Sequence, residues 1–321
     1  MVYIKRWQMR ECKLSVIILS YNTGKFLNEC FFSTLESAKR LKGVEIIIVD
    51  NASTDGTDKL IRNLKNDFDQ KNKNKDLEFV VIFSQKNLGY AGGNNLGIKK
   101  SRGKYILFLN MDINLSKSAL EDAVNFMESD QKIGAMTPKT MLFSGGIDPD
   151  CHRGFPTPWA SITYFLGLEK LFPKSRLFGQ YHKFYEDLTK PHEIDAGFGT
   201  FMIVRREVVD KVGLWDEKYF FYGEDLDYFY RIKQAGYKVM FYPKVLLRHY
   251  KGGSSGLRKE SRQTTAASKE TRLKTARASI KAMEIFYKKF YKDQYPAWLT
   301  FLILSAIKIK GFFRVAKHSL S

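Results

Sequence analysis

Cysteine is scarce in this chain: Cys12, Cys30 and Cys151 are the only three among 321 residues. An odd number without CxxC spacing builds neither a disulfide framework nor a zinc site, so reduced thiols in a cytosolic protein are expected. Long apolar runs are also missing. The uncharged stretch Tyr295–Ile307 has 13 residues. As a helix it covers about 20 Å, short of the roughly 30 Å hydrocarbon core of a bilayer. With aromatic and basic residues at its borders it suits a helix lying in a membrane interface, or one packed on the protein itself. The first eleven residues carry Lys5, Arg6 and Arg10 and no apolar core, which excludes a signal peptide and argues for the cytoplasm. There is no GxGxxG fingerprint, no phosphate-loop lysine, no internal repeat and no low-complexity tract.

Negative charge is in deficit. Lys and Arg number 53 against 34 Asp and Glu, a net charge of +19. Such a surplus points to an anionic partner: nucleic acid, an acidic membrane face or a phosphorylated substrate. The basic stretch 258–292 has no recognisable nucleic-acid signature and adjoins the apolar run, so a nucleic-acid partner is not expected. With 44% apolar and 14% aromatic residues the chain fills a sizeable core.

Leu14–Leu19 and Val44–Val49 are short β-branched runs that stop at polar residues, as strands buried on both faces do. Leu77–Phe83 and Lys104–Leu109 are two more. Helical spacing over Gly24–Arg40, and from Asp55–Gly56–Thr57 to about Phe68, fills the gaps, with a solvated loop at Asp69–Asp76. Alternating strands and helices predict a largely parallel α/β sheet, in which ligands bind at the carboxyl ends of the strands. Further on, 145–158 is expected to be a loop, Ile194–Val204 and Tyr237–Tyr242 strands, and Glu224–Gln234 a helix. A basic helical stretch runs from Lys251 to Lys292.

Polar clusters fall at those strand ends. Ser20–Tyr21–Asn22 follows the first strand. Asp50, ahead of Asn51–Thr57, offers a carboxylate to a base N–H or a ribose hydroxyl, although Asp-Gly-Thr is also ordinary turn chemistry. The glycines of Asn87–Gly97 let a ligand approach the backbone of a starting helix. Asn110–Met111–Asp112 ends the fourth strand, where a lone carboxylate can hold Mg²⁺ or Mn²⁺ beside substrate phosphates or can cap a helix. Glu224, Asp225 and Asp227 crowd three carboxylates among aromatics, which suits a helix start and also a general base of raised pKa. His249, followed by Lys251 and a glycine pair, could ligate a metal and close over a diphosphate.

Taken in order, LSYN, VDNASTDGT, NLGYAGGNNLGI, LFLNMD, the stretch from GTFMIVRREVV to RIKQAGYKV and RHYKGGSS resemble the family 2 glycosyltransferases, in particular their rhamnosyltransferase-like branch. CHRGFPTPW is similar to a variable loop in bacterial members of that branch. The likeness spans about residues 13–255. It implies a GT-A fold: a Rossmann-like, mostly parallel sheet flanked by helices, with a nucleotide-sugar half over about 13–115 and an acceptor half over 116–255. Residues 256–321 would form a basic and apolar helical extension.

By the same resemblance Ser20, Tyr21 and Asn22 line the nucleotide pocket, Asp50 meets the pyrimidine, and Asn87 and Asn94 flank base and ribose. Asp112 binds Mg²⁺ or Mn²⁺ with His249 nearby, Asp225 is the catalytic base, and Trp215, Asp216 and Glu224 lie on the acceptor side. Asn110 stands where many relatives have the first aspartate of the metal motif, and Met111 where proline is usual, so one carboxylate remains and metal affinity should depend on the nucleotide. The implied activity is inverting, metal-dependent transfer of a sugar, rhamnose by resemblance, from a dTDP- or UDP-sugar to a saccharide or lipid-linked saccharide in cell-surface polysaccharide synthesis. The place is the inner face of the cell membrane, against its anionic surface. An inactive nucleotide-sugar-binding homologue, a nucleotidyltransferase on the same fold and a basic nucleic-acid-binding protein are the rival readings.

Overall fold

The computed structural model describes residues 11–142, 145–250 and 269–319. Four parallel strands open the chain: β1 (Leu14–Ser20), β2 (Val44–Asp50), β3 (Leu77–Phe83) and β4 (Tyr105–Asn110), in the order β3-β2-β1-β4. Helices α1 (Gly24–Ala38), α2 (Thr57–Lys71) and α3 (Gly89–Lys100) connect them. The inner strands are apolar throughout because both faces are covered. Val16, Ile18, Ile46, Ile48, Leu107 and Leu109 pack into one core layer, while Ile17, Ile47, Val49, Ile106 and Phe108 pack into the other. Strand periodicity sends neighbours to opposite faces, so a continuous run is what a doubly covered strand requires.

The second half is mixed. After β5 (Ile113–Leu115), α4 (Ala119–Glu128) and β6 (Ile133–Leu142) come a 3-10 turn at Pro149–Cys151, α5 (Pro158–Phe165) and α6 (Leu168–Leu171). Then follow β7 (His192–Ile194), β8 (Phe201–Arg205), α7 (Arg206–Val212), α8 (Glu224–Gln234) and β9 (Lys238–His249). The sheet continues β4-β8-β6-β9-β5, with β7 also on β9. β6 runs parallel to β9; β8 lies antiparallel to β4 and β6. The GT-A arrangement is thus parallel through its first half and mixed beyond β4.

Several boundaries differ from the sequence expectation. α2 runs on to Lys71, into the expected loop. Ile194–Val204 is two strands, because Asp195–Thr200 leaves the sheet as a loop. A Cβ on Gly197 would lie 2.4 Å from Thr137 Cγ2, so only glycine allows this approach. β9 does not stop at Tyr242. Its pairing jumps from Pro138↔Tyr242 to Lys139↔Leu246, a bulge that absorbs Pro243, which has no N–H for the ladder. His249 is therefore the last residue of a strand and not a loop residue.

Helices α9 (Lys269–Phe290) and α10 (Ala297–Ser319) close the chain. Phe286, Tyr287 and Tyr291 of α9 and its C-terminal turn pack with Tyr219 and with Ile307 of α10 in a third, smaller core. Lys289 donates to Asp216 Oδ2 and Asp227 Oδ2, 2.6 Å each. The expected basic helix thus begins, among the described residues, at Lys269, and the apolar run becomes the first half of a 23-residue helix. Lys251 and its glycine loop fall outside the described residues.

Candidate active site

Parallel register aligns the strand ends expected to meet the nucleotide sugar. Ser20 pairs with Asp50, and Leu19 with Asn110, so the polar strand ends stand in one row. Ser20 is buried, its hydroxyl 2.9 Å from Thr23 Oγ1. Tyr21 is exposed. Asn22 takes φ 53°, a conformation asparagine tolerates. Its N–H donates to Ser53 Oγ at 2.9 Å, and its Oδ1 accepts from Thr54 N–H at 2.8 Å. The loops after β1 and β2 are thereby fastened together.

Asp50 is buried. Its Oδ2 accepts from Ser53 N–H at 3.2 Å, while its Oδ1 has no partner among the described residues. A buried lone acceptor costs free energy unless a ligand supplies the donor. Asn87 and Asn94 are used by the protein itself. Asn87 Oδ1 accepts from Asn51 Nδ2 and from Gly89 N–H, and Asn94 Nδ2 donates to Tyr90 O one turn back. Asn51, not singled out from the sequence, is the hub here: it also donates to Gly89 O and accepts from Leu88 N–H. Gly89 has φ 73°, and a Cβ there would sit 2.4 Å from Phe220 O. That close approach ties the start of α3 to the segment leading into α8.

Antiparallel pairing of Ile113 with His249 brings the end of β9 to the end of β4. Tyr250 N–H donates to Asp112 O at 3.0 Å, and Tyr250 Oη to Glu29. Asp112 and His249 are both buried, with His249 Nε2 3.5 Å from Asp112 Oδ1 and its Nδ1 3.6 Å from Asp148 Oδ2. Burial alone would lower the His249 pKa, but the carboxylates on either side reverse this and raise it to about 9. Asp148, in the stretch expected to be a plain loop, was not visible as a site residue from the sequence.

No group of three or more His, Cys, Asp or Glu among the described residues is arranged to hold a metal. Asp112 and His249 stand at a separation that suits a two-residue grip, which the histidine would join by giving up its proton. Two ligands each about 2.1 Å from one ion stand roughly 3–4 Å apart, and these are at 3.5 Å. A nucleotide diphosphate would have to complete the coordination.

The carboxylates expected on the acceptor side gather at the start of α8. Tyr222 and Gly223 both have positive φ (71° and 85°) and turn the chain into the helix. Asp225 Oδ2 accepts from Arg153 Nη2 at 3.1 Å, and its Oδ1 from Leu226 N–H at 2.8 Å. Arg153, in the HRGFP stretch, also donates to Gly197 O. Glu224 is buried, and its Oε2 has no partner among the described residues. Burial, then the adjacent Asp225, push its carboxyl well above the usual range. The two neighbouring carboxyl groups therefore differ: burial pushes Glu224 up, whereas Asp225 faces a permanent cation.

Tyr90 bridges the two sides. Its hydroxyl donates to Gly199 O at 2.6 Å. Its pKa is pushed well up by burial, and then by Glu224, Asp225 and Asp112. Through its hydrogen bond Tyr90 ties the start of α3 to the loop that precedes β8. Trp215 and Asp216 stand elsewhere. Trp215 is 2% exposed and stacked on Tyr228 at 4.8 Å, so it is core beneath the site. Asp216 faces Lys289.

A family model described as Glycosyl transferase family 2 matches residues 15–213, more than half of the chain. The chain belongs to glycosyl transferase family 2. The matched stretch includes Asp50 and Asp112 but ends before α8 and His249. An uncharacterized glycosyltransferase of Rickettsia conorii is 32% identical over 185 residues, covering 52% of this chain and only 28% of the relative. The N-acetylglucosaminyl-diphospho-decaprenol L-rhamnosyltransferase of Mycobacterium tuberculosis is 25% identical over 256 residues, 76% of this chain and 78% of that one. Among solved structures, a mannosyltransferase of Pyrobaculum calidifontis in complex with GDP-Man and Mn²⁺ superposes with TM-score 0.57 at 16% identity, covering 97% and 74% of the two chains. GalNAc-T7 with UDP, GalNAc and Mn²⁺ gives TM-score 0.54 at 19% identity over 86% and 48%. These last two likenesses concern the fold of this family 2 member.

Proposed function

We propose that this chain is an inverting glycosyltransferase that uses a dTDP- or UDP-sugar, rhamnose first among the sugars, and a lipid-linked saccharide acceptor. The observation that carries the reading is the carboxyl pair at the head of α8, with Asp225 Oδ2 on Arg153 and the buried Glu224 Oε2 without a partner among the described residues, together with the open Asp50 Oδ1 at the strand ends. Likeness to the mycobacterial relative, whose name specifies both rhamnose and a diphospho-decaprenol acceptor, supports the donor and acceptor classes.

Asp225 takes the proton of the acceptor hydroxyl as that oxygen attacks the anomeric carbon. The bond from that carbon to the diphosphate oxygen breaks on the opposite face, and the configuration inverts. Asp50 Oδ1 receives the pyrimidine N–H and is no longer an orphan. Asp112 and His249 would hold Mg²⁺ or Mn²⁺, which supplies charge stabilisation to the departing diphosphate when bound.

The deciding experiment is a thermal-shift panel of nucleoside diphosphates with and without Mn²⁺, on wild type and Asp112→Ala. A ligand that binds only the folded state raises the melting temperature. We expect stabilisation by dTDP or UDP that needs both Mn²⁺ and Asp112. No shift with any nucleotide would remove the donor assignment.

A further inference from the structure

Two apolar surfaces have no role in the site. On α10, Trp298, Phe301, Phe312 and Phe313 leave 65–72% of their surface open. Together with Leu302 and Ile309 they occupy roughly a third of the helix circumference, by 3.6-residue geometry. The opposite side faces α9, where Ile307 is buried and a Cβ on Gly311 would meet Ile280 Cγ2 at 2.8 Å. The second surface is the α5–α6 segment, where Leu166 and Leu171 are 67% and 70% exposed beside Phe165 and Phe172. Lys310, at the edge of the α10 stripe, places its ammonium 3.6 Å from the Phe165 ring. The two surfaces therefore adjoin, although some 130 residues separate them in the chain.

Their charge is one-sided. Residues 158–178 contain Lys170, Lys174 and Arg176, and residues 297–319 contain Lys308, Lys310, Arg314 and Lys317. The one acidic residue in either stretch, Glu169, is buried and bonded to His182. No helix among the described residues is long and apolar enough to cross a membrane. An exposed apolar patch rimmed by cations, on a helix that cannot span, matches the chemistry of an anionic bilayer surface. A second copy of the chain would set like charges against one another.

We infer that α10 and the α5–α6 segment together form one platform that seats the protein on an anionic lipid surface, with both elements inserting apolar side chains. The lipid-linked acceptor gives the platform a purpose, and only that purpose rests on the function proposed above. α5–α6 follows Arg153, the partner of Asp225, and α9 carries the lysine that grips α8, so both arms of the platform lead back to the acceptor side.

The test is flotation of the full chain with vesicles of phosphatidylcholine, with and without 30% phosphatidylglycerol, in the absence of any sugar donor. Wild type is expected to float with the anionic vesicles and to partition at least tenfold less onto neutral ones. Leu166→Ser/Leu171→Ser and, separately, Phe301→Ser/Phe312→Ser are each expected to weaken binding at least tenfold at unchanged melting temperature. Brominated lipid should quench wild-type tryptophan fluorescence more than that of Trp159→Phe or of Trp298→Phe, an arm that leaves the apolar surface intact. Undiminished binding of the α5–α6 variant, with no Trp159 quenching, overturns the two-armed platform. So does a wild-type dimer that these substitutions convert to monomer without any vesicle binding. Loss of flotation with donor binding intact sinks the platform alone, whereas flotation without nucleotide-dependent stabilisation sinks the proposed activity alone.

Discussion

The two halves of the sheet solve the same problem with different materials. On the side expected to hold the donor, β1 to β4 are neighbours in sequence, and the groups at their ends, the buried Asp50 and Asp112 apart, are neutral amides and hydroxyls fastened to one another: Ser20 to Thr23, Asn22 to Ser53 and Thr54, Asn51 to Asn87 and Gly89. Around α8 the groups are charges held by distant cations, Asp227 buried and Asp225 partly so. Asp225 meets Arg153 across 72 residues, and Asp227 meets Lys289 across 62. Neutral hydrogen bonds contribute about 1 kcal/mol each and tolerate loss singly. A buried ion pair broken on one side leaves a charge with nowhere to go. The first half is held by a mesh of neutral hydrogen bonds, and the second by charges that must stay paired to stay in place.

That contrast can be broken in four places. Asp225→Asn should keep the fold and donor-induced stabilisation while sugar transfer falls about 10²–10⁴-fold, the usual contribution of a general base. Turnover near wild type would take Asp225 out of that role. Arg153→Met should cost about 3–5 kcal/mol in urea unfolding, because the Asp225 carboxylate and Gly197 O lose their donor. Adding Asp225→Asn to that variant should return part of the loss, and strictly additive costs would show the pair to be uncoupled.

Asn51→Ala removes three hydrogen bonds and should cost about 2 kcal/mol, with weaker nucleotide binding as the α3 start loosens. A cost as large as that of Arg153→Met would erase the distinction between the halves. Lys289→Met is expected to be mildest, near 1 kcal/mol, since its ammonium is a third exposed and Asp227 keeps Arg231. Faster amide exchange confined to α9 would mark it as the clamp of the extension.

Legibility in the sequence followed the same division. β1 to β4 were readable because a doubly buried parallel strand is a continuous apolar run, and their polar ends announced Ser20, Asp50, Asn110 and Asp112. Asp225 stood out by local density of carboxylates. What was hidden depends on contacts distant in sequence. Arg153 and Asp148 lie in a stretch that reads as a turn-rich loop, and Tyr90 reads as one aromatic among glycines. Trp215 looked like an acceptor-side aromatic but fills the core, since sequence spacing does not tell an inward ring from an outward one. The break in Ile194–Val204 was carried by Gly197, whose missing Cβ matters only because Thr137 is against it.

The loop 195–200 is fixed in length by what its carbonyls hold. Its carbonyls at Gly197, Gly199 and Thr200 accept from Arg153, Tyr90 Oη and Asn110 N–H, three donors rooted in three different stretches of chain. A backbone spaced to answer three fixed donors has no slack for even one inserted residue. The segment between α5 and β7, by contrast, is largely surface and can change length and composition. Any graft of that segment from a relative must therefore leave the six residues of the loop unchanged.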